Sequence, residues 1–248
     1  MKLNKKYSLI LALIITGLIA NIVYSFGESH KSVFENKKIL RVIDGDTLEI
    51  EDGRKIRLVN INTPEKNERG AELGKEFLKK LENVSIRLEI LGQDKYKRYL
   101  ARIYTDEYLN LDLVKKGFAV KFLVNENELK EFDSAEDEAI AKSLGIWKKS
   151  NFSDCLNVKI DRYKEFIDIK NKCPEINFKN WIVRDESRKK YLFSEMHIKE
   201  IKLNSGNGKN NEDELFWNSP TSIWNNDRDT LYILDSEGGL AYHESYGY

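Results

Sequence analysis

The chain has little of several things. It holds two cysteines and three histidines in 248 residues. His30, His197 and His243 lie scattered, so with Cys155 and Cys173 they make no zinc-site spacing. It has no excess charge of either sign, because 41 Lys and Arg balance 41 Asp and Glu. Composition alone therefore does not announce a nucleic-acid binder, and any attraction to phosphate must come from local placement of Arg and Lys. There is no internal repeat and no low-complexity tract. Long apolar runs are confined to one place, the N-terminus.

There Lys2, Lys5 and Lys6 precede an apolar stretch from about Tyr7 to Tyr24. A basic start before an apolar segment is read by export machinery, with the lysines held on the cytoplasmic side. The run approaches the roughly 20 residues that span a bilayer, while Ser25-Phe26-Gly27 offers small residues at a signal-peptidase spacing. Residues 1–27 are thus a signal peptide or a signal anchor, with residues 7–26 as the membrane tether in the second case. Either way the chain beyond Gly27 is expected outside the cytoplasm: secreted, periplasmic or membrane-anchored. Cysteine use fits export, since an oxidising compartment would let Cys155 and Cys173 pair. Such a bridge contributes about 3 kcal/mol on the chain-entropy model; the alternative is two free buried thiols.

Residues 28–37 are polar and lack periodicity, which predicts a spacer. From Lys38 the pattern is strand-like: 39–43, 47–50 and 55–59 are short runs rich in branched residues, punctuated by Asp44-Gly45 and Asp52-Gly53 turns. A helix is expected from Arg69 to Leu81, a fourth strand through Val84, Ile86, Leu88 and Ile90, and a fifth from Leu100 to Tyr104. Gly117 stops a short helix that starts at Leu109. Asn127 is placed to cap a longer helix running to Leu144, with Trp147 packing behind. Five strands with interspersed helices predict an α+β unit over residues 38–150, a five-stranded β-barrel of the OB type. Beyond Ser150 the strands are short and the intervals turn-rich, the pattern of an all-β sandwich over residues 151–248.

Residues 44–65 concentrate oxygen ligands around one arginine. Asp44-Gly45-Asp46-Thr47 puts two carboxylates and a hydroxyl on a tight turn. Arg57 sits in an otherwise apolar strand, and Asn62-Thr63-Pro64-Glu65 lies just past its end. A hard divalent cation takes carboxylate, amide and backbone carbonyl oxygens alike. Phosphodiester hydrolysis needs an activated water, a polarising cation and guanidinium groups for the developing charge. Arginine suits the last role because its fork meets two phosphate oxygens at once. Glu65 is the carboxylate placed to activate water. Singly, each piece has an ordinary structural explanation; their order is what carries the chemistry.

Ile43-Asp44-Gly45-Asp46-Thr47, then Arg57-Leu58 with Asn62-Thr63-Pro64-Glu65, then Asp94-Lys95-Tyr96-Lys97-Arg98 and Ala101-Arg102-Ile103-Tyr104, resemble the thermonuclease (staphylococcal nuclease) family. So does the closing Gly145-Ile146-Trp147. The resemblance covers about residues 38–150. It implies Ca2+ held by Asp46, Asn62 and the Thr63 carbonyl, with Glu65 activating water. It also implies Arg57 and Arg98 on the phosphate, with Lys95 and Tyr96 on a neighbouring one. The implied reaction is cleavage of DNA and RNA to 3′-phosphate and 5′-hydroxyl ends. Three departures stand out. Asn62 occupies a position where the family has a ligating Asp, Lys97 one where it has Gly, and Leu123 and Asn125 stand where its best-known member has stacking tyrosines. The competing reading is a nuclease-like barrel that binds nucleic acid or protein without cutting.

In the second half, Phe166-Ile167-Asp168-Ile169, Asn180-Trp181-Ile182-Val183, Trp224-Asn225-Asn226-Asp227 and Leu231-Tyr232-Ile233-Leu234-Asp235 resemble the lamin-tail domain, an immunoglobulin-like sandwich. That resemblance assigns no catalytic residue. Trp181 is expected in the core, and Trp217 and Trp224 flank a polar loop. Residues 151–248 carry more carboxylates than cations, which favours a protein, envelope or glycan partner over a second nucleic-acid module.

Overall fold

The computed structural model describes residues 33–248 apart from Glu175; residues 1–27, read as a signal peptide or signal anchor, lie outside the described residues. Among the described residues no helix is long and apolar enough to cross a membrane.

The first half is a closed barrel of five strands: β1 (Val33–Val42), β2 (Thr47–Ile50), β3 (Lys55–Leu58), β5 (Ser85–Gln93) and β6 (Tyr99–Tyr104). Around the barrel the order is β1-β2-β3-β6-β5. Every ladder is antiparallel except β3–β6. Period-2 alternation drives the closure: Leu48 and Ile50, Ile56 and Leu58, Ile86 and Leu88, and Ala101 and Ile103 all point inward and are buried. One strand makes the seam. The first part of β1, from Val33 to Lys38, pairs with β5, and its end pairs with β2, with a register shift between Ile39 and Arg41. Residues 33–37 therefore belong to the barrel and not to a spacer. The sequence obscures this because Phe34 and Asn36 are both exposed, one apolar and one polar, so no alternation shows, and the pairing with β5 uses backbone groups.

Two further elements close the barrel's ends. The helix α1 (Ala71–Lys79) buries Leu78, and α2 (Leu109–Lys115) buries Leu109, Leu111, Leu113 and Val114. Within α2, Asn110 is fully buried and fully used: its amide donates to the Val59 and Ala101 carbonyls and its oxygen accepts from Ile103 N. The long helix expected from Asn127 begins instead with a 3-10 turn over Glu126–Glu128 and continues as α3 (Leu129–Ala141). A two-residue ladder, β4 (Ile61–Asn62) with β7 (Val120–Lys121), pins the end of the site loop.

The second half forms two four-stranded sheets. One has the order β11 (Lys190–Leu192), β10 (Ile182–Arg184), β14 (Asp229–Leu234), β15 (Leu240–Tyr246). The other has β13 (Glu214–Phe216), β12 (Glu200–Asn204), β9 (Phe166–Asn171), β8 (Leu156–Asp161). Ile167, Ile169 and Leu203 from the second sheet and Val183, Leu231 and Ile233 from the first share one apolar cluster with Trp181. Trp224 is also buried there and Trp217 packs against it, so these two indoles serve the core and not the surface. The polar loop folds over them because Asp229 accepts hydrogen bonds from the Asn225 backbone and amide. A disulfide joins Cys155 to Cys173, with Cα atoms 5.2 Å apart.

The barrel and the sheets are not beads on a string. Trp147 stacks on Tyr232 with ring centroids 5.4 Å apart, and both are buried with Val120, Ala139 and Leu240. Beside them lies a buried charge cluster. Lys121 Nζ donates to Glu136 at 2.7 Å and to Ser245 of β15 at 2.8 Å, and sits 3.1 Å from Asp133. Tyr232 donates its hydroxyl to the same Glu136 carboxylate at 3.0 Å. The connector joins in, since Ser150 N donates to Leu240 O and Leu240 N to Lys148 O.

Candidate active site

The site begins with two glycines that let backbones touch. A Cβ on Gly45 would lie 2.8 Å from Thr63 Oγ1, and one on Gly74 of α1 would lie 3.2 Å from the Gly45 Cα. Without side chains at both positions, the Asp44–Asp46 turn nests between α1 and the loop after β4. Asp44 Oδ1 accepts from Asp46 N at 3.0 Å, which fixes the turn.

Asp46 is almost fully buried and uses both oxygens. Oδ1 accepts from Thr47 Oγ1 at 3.1 Å and lies 3.1 Å from Arg57 Nε. Oδ2 accepts from Thr63 N and Thr63 Oγ1, each at 3.0 Å. Arg57 in turn donates to the Leu58 and Ile61 carbonyls and, at 3.1 Å, to Asn62 Oδ1. Burial holds the Arg57 guanidinium below its usual value; Asp46 opposes that, and Arg98 and Arg188 add to it. Burial, and then the adjacent Asp46 carboxylate, push the Asp44 carboxyl above the usual range.

Across the cleft, Arg98 is aimed by a shaped loop. Asp94 Oδ1 accepts from Tyr96 N and Arg98 N, and Oδ2 pairs with Arg98 Nε at 2.8 Å. Arg98 Nη1 reaches Thr47 Oγ1 at 3.3 Å, and its guanidinium lies over the exposed Tyr96 ring, as does Lys95 Nζ. Lys97 adopts φ 65°, a left-handed conformation that glycine takes without cost. The loop thus keeps the tight shape with Lys at that position, closed by Lys97 N to Asp94 O at 3.0 Å.

All of the metal, catalytic and substrate residues read from the sequence line one cleft of about 1040 Å³. Asp46, Arg57, Asn62 and Thr63 touch directly, and Arg98 joins them through Thr47. Glu65 stands at the rim with its side chain 70% exposed. Leu123 is exposed on the cleft wall, and Asn125 is bonded to Asn60 Oδ1, so neither offers an aromatic platform. Sequence reasoning missed two participants. One is the pair Asn60 and Glu128, which braces the cleft wall through a 2.9 Å hydrogen bond and through Glu128 to Arg102 at 2.6 Å. The other is Arg188, from the turn between β10 and β11, whose guanidinium donates to the Thr63 carbonyl and to the Glu65 carboxylate.

Residues 55–149 match the family model described as staphylococcal nuclease homologue. A thermonuclease from Staphylococcus hyicus is 35% identical over 125 residues, which cover 44% of this chain and 74% of the relative. An uncharacterized endonuclease from Haemophilus influenzae is 32% identical over 120 residues, 46% of this chain and 67% of the relative. The chain belongs to the staphylococcal nuclease family. An uncharacterized endonuclease from Escherichia coli O157:H7 is 29% identical over a similar span, 46% of this chain and 78% of the relative. The family match begins at Lys55, so Asp44 and Asp46 precede it; Asp46 joins the matched residues through Arg57 and Thr63, and Asp44 through Asp46. The C-terminal sheets lie beyond it.

The donor set also suits a hard cation. Among the described residues no group of three or more His, Cys, Asp or Glu side chains could hold a metal. The candidate ligands are oxygens of mixed kind instead, the Asp46 carboxylate, the Asn62 amide and the Thr63 carbonyl with Asp44 beside them, and in this structure they accept from Arg57, Thr47, Thr63 and Arg188. Asp44 and Asp46 repel each other, and a dication between such oxygens would relieve that repulsion.

Proposed function

We propose that this chain is an exported, calcium-dependent endonuclease that hydrolyses DNA and RNA to 3′-phosphate and 5′-hydroxyl ends. The observation that carries the reading is the hydrogen-bonded chain Asn62–Arg57–Asp46–Thr63, with Arg98 tied in through Thr47. It brings the residues read as cation ligands and the two arginines read as phosphate-binding into one cleft.

Asp46, Asn62 and the Thr63 carbonyl would hold a Ca2+, which would supply Lewis-acid polarisation of the phosphate. Arg57 and Arg98 bind the non-bridging phosphate oxygens and stabilise the charge that grows there on attack. Glu65 takes a proton from the attacking water as the new P–O bond forms. The P–O5′ bond breaks in line, the strand upstream keeps the phosphate, and the departing 5′ oxygen takes a proton from solvent water. Lys95 and Tyr96 line the path of the adjacent nucleotide. With Leu123 and Asn125 in place of stacking rings, base contacts are weak and affinity rests on phosphate.

Export is supported by the lysines ahead of the apolar N-terminal run and by the use of both cysteines in one disulfide. The C-terminal sheets are read as a lamin-tail-like, immunoglobulin-like sandwich whose acidic lean suits a protein or cell-envelope partner. Asn62 favours a second reading, a barrel that binds strands but does not cut them, because it removes one charge from the cation shell. Digestion of single-stranded DNA by purified protein over a wide calcium range separates the two. Cleavage that stops with a chelator is expected; inactivity at every calcium level, with the fold intact, leaves the binding reading.

A further inference from the structure

The cleft holds a third guanidinium that does not come from the barrel. Arg188 sits at the tip of the β10–β11 hairpin, and the tip is rigidly built. The buried Asp185 accepts from Lys189 N at 2.7 Å and from Ser187 Oγ at 2.6 Å. Arg188 itself adopts φ 72°, a left-handed conformation that is strained for a non-glycine residue. The hairpin is anchored against the barrel at its flank, where Lys190 pairs with Glu68 of the α1 approach at 3.4 Å. The Arg188 side chain is only 20% exposed and lines the same cleft as Arg57 and Arg98.

A surface salt bridge to Glu65 would not account for this arrangement, since such pairs stabilise little, no more than the backbone conformation costs. The charges of the cleft do. Asp44, Asp46, Glu65 and Asp94 face Arg57, Lys95, Arg98 and Arg188, so the cleft is near neutral by itself and positive with a dication in the shell. Arg57 and Arg98 meet at the Asp46–Thr47 turn, and Arg188 rests on Thr63, which is bonded to the same Asp46, so three guanidinium groups gather around one carboxylate. A cluster of like charges is relieved by a polyanion that spans them, and a sugar-phosphate strand carries one charge per nucleotide.

We propose that Arg188 is a substrate-binding residue lent to the cleft by the C-terminal sheets, where it contacts a backbone phosphate of the bound strand next to the one held by Arg57 and Arg98. In the ligand-free protein its guanidinium rests on the Thr63 carbonyl and Glu65. The proposal rests on the nuclease reading for the nature of the ligand, but its test does not need turnover.

The test compares wild type, Arg188→Ala and Arg188→Lys, with Lys190→Ala as a control for docking of the hairpin. The probe is a short fluorescent single-stranded oligodeoxynucleotide with a phosphorothioate backbone, read by anisotropy in calcium and again with a chelator. Arg188→Ala is expected to weaken binding about tenfold, equivalent to ~1.4 kcal/mol. It should lower the slope of log affinity against log salt by about 0.7, the value for one lost single-strand phosphate contact. Arg188→Lys keeps the slope, because it keeps the charge, and recovers part of the affinity. Where wild type cleaves, Arg188→Ala raises KM more than it lowers kcat. Unchanged affinity and slope in a folded Arg188→Ala protein overturn the proposal, as does tighter binding, which would make Arg188 a competitor for the cleft. Equal losses in Lys190→Ala also overturn it, because docking alone would then explain them. Failure of wild type to cleave would count against hydrolysis only, leaving the binding comparison to decide the role of Arg188.

Discussion

Replacing Glu136 by Ala should cost this protein more stability than any single substitution on the cleft surface. Glu136 is fully buried on α3. It accepts three hydrogen bonds, from Lys121 N at 2.9 Å, Lys121 Nζ at 2.7 Å and Tyr232 OH at 3.0 Å. Burial alone would lower the Lys121 amine, yet Glu136 and then Asp133 raise it above the ordinary lysine value, so the ammonium is charged and dependent on its partners. Breaking a buried ion pair by removing one partner costs about 3–5 kcal/mol. Asp133 remains 3.1 Å from Nζ, which argues for the lower end, roughly 3 kcal/mol. Urea unfolding of the purified protein measures it, with Glu136→Gln as the companion that keeps shape and loses charge. Because Tyr232 belongs to the C-terminal sheets, the same change should loosen their hold on the barrel and expose Arg188. A loss below about 1 kcal/mol, the scale of an exposed pair, would refute the claim that this cluster fastens the two halves.

The buried carboxylates and the cation shell supply further outcomes. Burial pushes Glu186 up to about 7, against a hydrogen bond from Tyr248, and pushes Asp229 up to about 6. Both acids therefore bind protons more tightly folded than unfolded, so stability falls as pH rises from their ordinary values toward about 7. Glu186→Gln, which can still accept from Tyr248, should flatten that slope in urea melts at pH about 5 and about 8, and an unchanged slope would count against it. Asn62→Asp restores a unit charge beside the cation. At about 4 Å in water a dication and one charge interact by ~2 kcal/mol, so calcium should bind roughly 30-fold tighter by calorimetry; an unaltered calcium affinity would remove Asn62 from the shell.

The barrel is legible in the sequence because Leu48, Ile50, Ile56, Leu58, Ile86 and Leu88 alternate with polar neighbours, and period-2 alternation is a local property. The first residues of β1 are not, because their place depends on pairing with β5, a contact between residues 33–38 and 85–90. β13 escapes notice for a similar reason: Glu214–Phe216 is three residues long and pairs parallel to β12. For Trp224 the polar neighbours leave both core and surface open, and it is Asp229, by satisfying the adjacent Asn225, that lets the loop cover the indole. At the site, the acidic turn and Arg57 announce themselves by oxygen density around one cation. Lys97 is visible as a departure from glycine, but only its φ shows that the loop is retained. Arg188 carries no signal. Nothing in Asp185-Glu186-Ser187-Arg188 indicates more than a charged turn until the sheets are docked on the barrel.

That docking leaves the connector at Lys148–Ser150 with no slack. It is hydrogen-bonded to Leu240 on both sides and comes directly after Trp147, which is stacked against Tyr232. In the language of tethers, its covalent continuity sets a high effective concentration of one half near the other, but the register and angle of the joint are set by the seam itself. A chain cut just after Ser150 would still find the same partners, only at the cost of a bimolecular encounter. The seam therefore fixes how the two halves meet, and the connector, by holding them close, fixes that they do.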